Sequence, residues 1–398
     1  MKKISIIVGL LLVALAMFLV IMPTPDIISI GPSPERKVEI EKTRLSGWQA
    51  GTKTWEIKAE KIWFGQDKNL AYFSNISDGT FYDKQKAAVV NGLKCNGGYM
   101  IFEPLQIYLK DGVRAEISEQ GGDKMILATS QLEFNHGRIF FPFDVALASA
   151  KEQVTGKRMT YDLENKEANI SGNVQIKLDK KTASAGQVTL SGDTYLLKEN
   201  VVFIDSGRKV ECAQLQWSRA GQRADISGLQ KLSTKEMQIA GSTAVIEPAR
   251  DTAEINGKVS IVRNNDKIQG SKAVIRSGKL EMSGGIKLET NQLEKYADKV
   301  RANDHSPQRA IITGEKLDYD PSKNLTIIEG QVFVKQGDNE AKADLVHYFD
   351  KAKMIRMEKN VFMKQTDQWL QCQKVKVDIA KEEFISEGAV KARIVIEK

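Results

Sequence analysis

The sequence is poor in cysteine and histidine, on which most metal sites and many catalytic sites depend. Three residues of each type occur in the 398-residue chain. They are widely separated, at Cys95, Cys212 and Cys372 and at His136, His305 and His347. Neither a Cys-x-x-Cys pair nor a His-Glu-x-x-His pattern is present, so we expect no metal site. Isolated buried thiols are the simplest interpretation of the cysteines, and one long-range disulfide stays open.

Other catalytic signatures are also missing. The sequence has no Gly-x-Ser-x-Gly elbow for a nucleophilic serine and no glycine-rich phosphate-binding loop. Its 51 acidic residues could supply a glycosidase pair, but no two of them stand out by position. We therefore expect neither catalysis nor a cofactor. A carbohydrate-active β-helix enzyme is the alternative that this reasoning leaves open.

Concentrated charge of one sign is absent as well. The chain carries 58 lysine and arginine residues against 51 acidic ones, a formal net charge of +7. No basic block alternates with aromatic residues, which argues against nucleic-acid binding. Dispersed charge indicates a solvated surface that tolerates acidic headgroups. A hydrophobic content of 41% is typical of a folded protein.

One long apolar run is present, at the N-terminus. Residues 4–22 are uncharged and follow Lys2 and Lys3; as a helix they would span roughly 28 Å, close to the thickness of a bilayer core. A cleaved signal peptide is the alternative, but the apolar residues after Ala16 favour an uncleaved anchor. The two lysines place the N-terminus in the cytoplasm and the rest outside. Residues 23–36 hold four of the nine prolines, which predicts an extended spacer.

Residues 159–179 contain the unit that recurs along the chain. Apolar residues alternate with polar ones on both sides of a polar turn: Met159, Tyr161 and Leu163 before it, Val174, Ile176 and Leu178 after it. Alternation predicts strands with one apolar face, and the polar turn predicts a hairpin. Gly172-Asn173 interrupts the second run, where we expect a bulge or bend.

The unit repeats from about residue 143 onward. A short corner of glycine or asparagine followed by an apolar residue recurs at Val145, Val174, Val201, Leu229, Val259, Ile286, Val332, Val361 and Val390. The spacing is 27 to 30 residues, except for one of 46 that contains residues 296–308, an extra strand, a loop or a short helix. A parallel β-helix has similar periods, but polar turns at residues 165–166, 248–251, 320–323 and 350–353 favour antiparallel hairpins.

The apolar face after each corner is the candidate functional surface. It comprises Val174, Ile176, Leu178, Val201, Phe203, Val259, Ile261, Ile286, Leu288, Val332, Val334, Val361 and Met363. The simplest interpretation is the core of a closed β-sandwich. The functional one is an incompletely closed trough for acyl chains, in which each buried methylene contributes roughly 0.8 kcal/mol.

Two sets of residues resemble a known family. The order of two lysines, one membrane helix, a spacer and Gly51-Thr52-Lys53-Thr54-Trp55 is similar to LptC, a membrane-anchored periplasmic protein of lipopolysaccharide export. The segments at 161–174 and 317–332, which contain Ile170-Ser171-Gly172-Asn173-Val174 and Ile328-Glu329-Gly330-Gln331-Val332, resemble the OstA-like repeats of LptA and LptC. The chain is about twice as long as one LptC domain, so we interpret residues 37–205 as an LptC-like domain and 206–398 as an LptA-like one.

The resemblance implies a fold, partners and edges. The fold would be an all-β, elongated, antiparallel and incompletely closed jelly roll with lipopolysaccharide between its sheets. The edge at Trp55, Ile57 and Ala59 would face an inner-membrane ABC transporter of the Lpt system. The edge at Val390, Ala392 and Ile394 would face an LptA-like bridge or the outer-membrane receiver. An anchored structural or adhesive β-protein without lipid is the main alternative.

Overall fold

The computed structural model describes residues 38–49, 51–64, 68–83, 87–117, 124–205, 207–218, 223–263, 266–290, 309–349, 351–378, 381 and 383–393. The predicted membrane helix, the spacer, residues 296–308 and Ile394 lie outside this part. Among the residues that are described, no helix is long and apolar enough to cross a membrane.

These residues form 27 strands and one short 3-10 turn at Pro248–Arg250. Strands β1 to β9 are Val38–Gln49, Thr52–Phe64, Leu70–Tyr82, Ala88–Ile101, Gln106–Ile117, Met125–Asn135, Arg138–Phe141, Val145–Ala148 and Glu152–Gly156. Strands β10 to β18 are Arg158–Asp162, Glu167–Leu178, Lys181–Ser191, Thr194–Asp205, Arg208–Ser218, Ala224–Ser233, Gln238–Ala240, Thr243–Glu247 and Thr252–Arg263. Strands β19 to β27 are Asp266–Arg276, Lys279–Thr290, Ala310–Asp320, Leu325–Gln336, Asn339–Phe349, Met354–Gln365, Gln368–Asp378, Glu383–Glu387 and Lys391–Arg393.

The strands join into one continuous antiparallel sheet. Most strands that follow each other along the chain pair with each other, as β11 with β12 and β12 with β13. Where a strand is split in two, both pieces pair with the same neighbour, as β26 and β27 do with β25. This confirms the all-β antiparallel prediction and shows that the β-helix interpretation is wrong. The pairing of β13 with β14 carries the sheet across residues 205 and 206, and the domain boundary expected there stays a prediction. Strands β20 and β21 also pair directly, so the long spacing does not interrupt the ladder.

Six of the nine predicted corners are β-bulges, those before Val174, Val201, Val259, Ile286, Val332 and Val361. A register shift also lies beside Leu229, whereas Val145 begins β8 and Val390 precedes β27, so these two corners are breaks between strands. A further bulge, in β5, was not predicted. In β5, β11, β13, β18, β20, β22 and β24, two consecutive residues have positive φ where the register shifts. At Gly172 and Asn173 the φ angles are 83° and 51°, and the register shifts between Ser171 and Val174. A left-handed pair bends the strand sharply, and glycine and asparagine adopt it at little cost. The bulge expected at this position is therefore confirmed.

The bends fold the sheet into two facing layers. Tyr195 pairs with Trp217 and Phe203 with Val210. In a flat ribbon Phe203 and Trp217 would be roughly 23 Å apart at 3.3 Å per residue. Their ring centroids are 5.2 Å apart, so the half of β13 after the bulge lies over the half before it. We call the strand halves before the bulges, together with the segments of the unbulged strands that pair with them, layer one. The halves after the bulges and the segments that pair with those form layer two.

Layer two presents a continuous row of apolar side chains to the interior. Register partners connect one strand to the next, as Ile176 with Ala183 and Ala183 with Phe203. The row comprises Leu127, Leu147, Val154, Ile176, Ala183, Phe203, Val210, Leu232, Ile239, Ile261, Ile268, Leu288, Ile312, Val334, Ala341, Met363, Leu370 and Ala392. At the usual strand spacing it extends roughly 80 Å.

The apices of the bends are packed by pairing a large residue with a small one. Val201 lies opposite Cys212, Val361 opposite Cys372, and Val332 opposite Ala343. All three cysteines are buried free thiols, as the sequence predicted. Burial raises the pKa of the Cys212 thiol to about 11, which leaves it protonated and inert at neutral pH. Two of the cysteines are thus small residues for a crowded corner.

Candidate functional site

The two layers part in the C-terminal third of the described chain. Between β18 and β27 they enclose a groove of about 770 Å³, within the range of roughly 300–1,000 Å³ that small-molecule sites occupy. Its floor is the end of the layer-two row: Ile268, Leu288, Ile312, Val334, Ala341, Met363 and Leu370. Its opposite wall belongs to layer one: Leu317, Ile328, Val346 and Met357. An elongated slot with two apolar walls can take up a hydrocarbon chain.

Burial along the row shows where the interior opens. From Leu127 to Ile268 no side chain of the row is more than 6% exposed. Ile312 is 8% and Ala341 9% exposed, and Val334, Met363 and Leu370 are only partly buried. The strands and the register are unchanged along this gradient. The interior therefore passes from filled to open within one sheet, and we call residues 52–263 the closed segment and 266–393 the open segment.

Polar side chains border the mouth of the groove. The hairpin ends of layer two, which we call rim two, contribute Gln336, Asn339, Lys364 and Gln368. The hairpin ends of layer one, rim one, contribute Asp378 and Glu383. Lys364 and these carboxylates put both signs of charge at the mouth, above an apolar interior. This arrangement suits an amphiphile whose tails lie inside and whose headgroup stays in water.

Arg263 and Tyr319 stand at the inner end of the groove. The guanidinium carbon of Arg263, on rim two, lies 3.7 Å from the centre of the Tyr319 ring, near rim one. Arg263 is 7% exposed and the neighbouring Asp266 5%. A cation over an aromatic face is held most strongly when water is excluded. The pair joins the two layers where the closed segment meets the groove.

Three of the predicted apolar residues line the groove: Leu288, Val334 and Met363. Ile286, Val332 and Val361 are buried at the apices of the bends in the open segment. Val174, Ile176, Val201, Phe203, Val259 and Ile261 are buried in the closed segment, and Leu178 is partly buried. All of them face the interior, but the described groove brings together only the first three. Their role in binding stays a prediction.

The two predicted sheet edges differ in burial and in strand pairing. Trp55, Ile57 and Ala59 are at most 3% exposed, and their strand β2 pairs with both β1 and β3. The prediction of an edge there is wrong, because residues 38–49 add a strand, β1, that pairs within the described residues only with β2. At the other end, Val390 and Ala392 are exposed beside β25, whose partners β26 and β27 are the last described strands. Their role as an outer edge stays a prediction.

The sequence reasoning missed the layer-one wall. Leu317, Ile328, Val346 and Met357 precede the bulges or lie in the strands between them, and only residues after the corners were considered. The signal was present, because Leu317 and Met357 each lie between two charged neighbours, as expected for inward residues of a half-buried strand. A strand that bends at its midpoint buries apolar residues from both of its halves.

Comparisons with known proteins decide the family. The model of the LptA/(LptD N-terminal domain) LPS transport protein family matches residues 153–277 and 238–383, which together are more than half of the chain. The chain belongs to this family. The model described as lipopolysaccharide-assembly, LptC-related matches residues 42–179. The resemblance inferred from the sequence is thus confirmed, and residues 42–179 of this Lpt family chain are similar to LptC-related proteins.

Solved structures and curated protein sequences were compared with the chain as well. Among solved structures, LptH of Pseudomonas aeruginosa, described as the LptA homologous periplasmic component of the lipopolysaccharide transport device, aligns with this Lpt family chain at 11% identity. The alignment covers 40% of this chain and 95% of LptH, with a TM-score of 0.25. Curated protein sequences give no match. Proteins of the Lpt family are transport components of lipopolysaccharide export in the periplasm.

Proposed function

We propose that this chain is a membrane-anchored periplasmic bridge that carries lipopolysaccharide with its acyl chains in the groove. Lipid would arrive from an inner-membrane ABC transporter and leave toward the outer membrane. The observation that carries the proposal is the groove of about 770 Å³ with apolar walls and a polar mouth. A chain of about a dozen carbons would gain roughly 10 kcal/mol by leaving water for such a site.

The row of apolar side chains supports transport rather than storage. It continues from Leu127 to Ala392 without a change of register, so wherever the two layers part a tail would meet the same apolar floor at each strand. Since we infer no nucleotide site from the sequence, the energy would come from the transporter. No catalytic step is required of the chain.

The two ends of the sheet supply the partner surfaces. Strand β1 would receive the transporter side, and β26 with β27 would receive the next bridge protein or the outer-membrane receiver. A strand at a sheet edge exposes backbone donors and acceptors that another strand can pair with. The uncleaved helix predicted at residues 4–22 would anchor the β1 end at the inner membrane.

The filled closed segment favours one alternative, an anchored structural or adhesive protein that carries no lipid. Photo-crosslinking separates the two. A photo-reactive residue at Val334 or Met363 in the full chain should capture lipopolysaccharide in cells. The neighbouring Lys335 is the matched control, because it is exposed on the opposite face of the same strand. Equal labelling at Lys335, or none at Val334 and Met363, would favour the scaffold.

A further inference from the structure

Contacts between the two rims close the mouth along the closed segment. Arg208, at the β13–β14 hairpin end on rim two, makes a salt bridge with Asp251, at the β17–β18 hairpin end on rim one. Lys166 on rim one pairs with the buried Asp83 on rim two, with Nζ and Oδ2 2.9 Å apart. The Arg263–Tyr319 contact is of the same kind. Each of these three contacts joins a hairpin end of layer two to layer one. The two residues of each contact belong to strands that are not neighbours in the sheet.

These contacts mean that the mouth is shut there. In an unbent strand of 12 residues the two rims would be roughly 36 Å apart. Beside Arg208 the interior narrows to a void of about 30 Å³, lined by Phe203, Trp217 and Ile246. Such a void has room for about one water molecule. An acyl chain does not fit between the layers while they are held this close together.

An amphiphile cannot slide beneath such a bridge unchanged. Its tails lie between the layers while its headgroup lies outside the mouth, so the link between them passes through the mouth. Any side-chain pair that joins the rims stands in the path of that link. The pair has to part before the lipid can pass.

We propose that Arg208–Asp251 and Arg263–Tyr319 are two gates that open in turn as a lipid moves from the closed segment into the groove. The inference rests on the proposed function and adds the residues that control passage. Both pairs consist of side chains alone, so when they part the two layers can separate and admit the acyl chains while the backbone ladder stays intact. Arg208 and Asp251 are 39% and 49% exposed, which makes their salt bridge weak and easily broken. Arg263 is buried over its ring, so the second gate is the firmer one.

The test joins each pair covalently and follows lipid on both sides. One variant carries Arg208→Cys with Asp251→Cys, a second carries Arg263→Cys with Tyr319→Cys, and both are linked by a short bis-methanethiosulfonate that dithiothreitol removes. The native thiols are at most 5% exposed and are shielded from the reagent. The matched control is Lys279→Cys with Asp320→Cys, a pair 3.1 Å apart whose members both lie on rim one. Linking this pair therefore does not join the two rims.

Photo-reactive residues at Ile176, before both gates, and at Met363, in the groove, report passage in cells. With either gate linked, we expect capture of lipopolysaccharide at Met363 to fall at least tenfold while capture at Ile176 persists. Removing the link with dithiothreitol should restore capture at Met363. The control variant should capture as much lipopolysaccharide at Met363 when linked as when unlinked. Unchanged capture at Met363 with a gate fully linked would overturn the proposal.

A second measurement separates a gate from damage to the groove. Lipopolysaccharide added to the purified full chain reaches the open segment directly, so capture at Met363 should survive linking of Arg208→Cys with Asp251→Cys, neither of which lines the groove. Loss of capture in this assay as well would show that the link distorts the groove and would overturn the gate assignment. If Met363 captures no lipid even in the unlinked chain, the proposed function itself fails.

Discussion

The closed and open segments are built from the same repeat, yet only the open one holds a groove. In both, bulged strands alternate with unbulged ones, and the layer-two row keeps its register. The difference lies in the size of the inward side chains. The closed interior contains buried rings such as Phe81, Tyr161 and Trp217, whereas the floor and wall of the groove are aliphatic except near the rims. Each ring buries about 150–250 Å², so a few rings per repeat are enough to fill the space between the layers.

The strongest test of this comparison places one bulky residue in each segment. Ala341 and Ala183 occupy the same row, the first in the groove and the second in the filled interior. Ala341→Trp should fill part of the groove and lower lipopolysaccharide capture about tenfold or more, since two displaced methylenes already account for roughly 1.6 kcal/mol. The readout is crosslinking at Met363 in purified protein.

The matched substitution in the closed segment should lower stability rather than lipid binding. Ala183→Trp overpacks a closed core and should lower the free energy of unfolding by about 1–3 kcal/mol, whereas Ala341→Trp should leave it nearly unchanged. Urea titration of both variants measures this. Equal destabilisation would mean that the groove is as tightly packed as the closed segment.

Truncating a side chain should also destabilise the closed segment more than the open one. Ile261→Ala removes a fully buried side chain and should cost about 2–5 kcal/mol, because a new cavity forms. Met363→Ala should cost about 1 kcal/mol or less, because that side chain already borders empty space. Urea denaturation at one pH compares them, and similar losses would contradict the distinction between the segments.

The smallest expected effect concerns pH and the outer face of the open segment. Burial lowers the pKa of His347, whose Nδ1 is buried without a hydrogen-bond partner among the described residues. The unfolded chain then binds the proton more readily, so stability is complete above the ordinary value of 6.5 and falls as the pH drops below it. His347→Gln should reduce this loss between pH 7.5 and 5.5 in thermal unfolding. The exposed His136 is the control position, and an equal change there would refute the assignment.

The sequence could predict the repeat but not the place where it opens. Gly172-Asn173 and Gly330-Gln331 indicate bends because a left-handed backbone has a local sequence signature. The Arg263–Tyr319 contact joins residues far apart in the chain, and no local pattern marks it. Alternation is the same whether the facing layer carries a ring or a methyl group, so it cannot distinguish a core from a groove.

The first edge was missed for a different reason. Strand β1 is mostly exposed and charged, with Glu39, Glu41, Lys42 and Arg44 among its first seven residues, and it lacks the clear apolar face of β2. Sheet edges are commonly protected in this way, since charge discourages unwanted pairing. A search for apolar alternation therefore starts one strand too late.

The unbroken register of the sheet also makes its reach adjustable. One hairpin repeat adds two strands and widens the sheet by roughly 10 Å, without changing which side chains point inward. Deleting or duplicating a whole repeat would therefore shorten or lengthen the molecule in fixed steps while keeping its apolar track in phase. A change by a single residue would instead turn every later side chain of that strand to the opposite face.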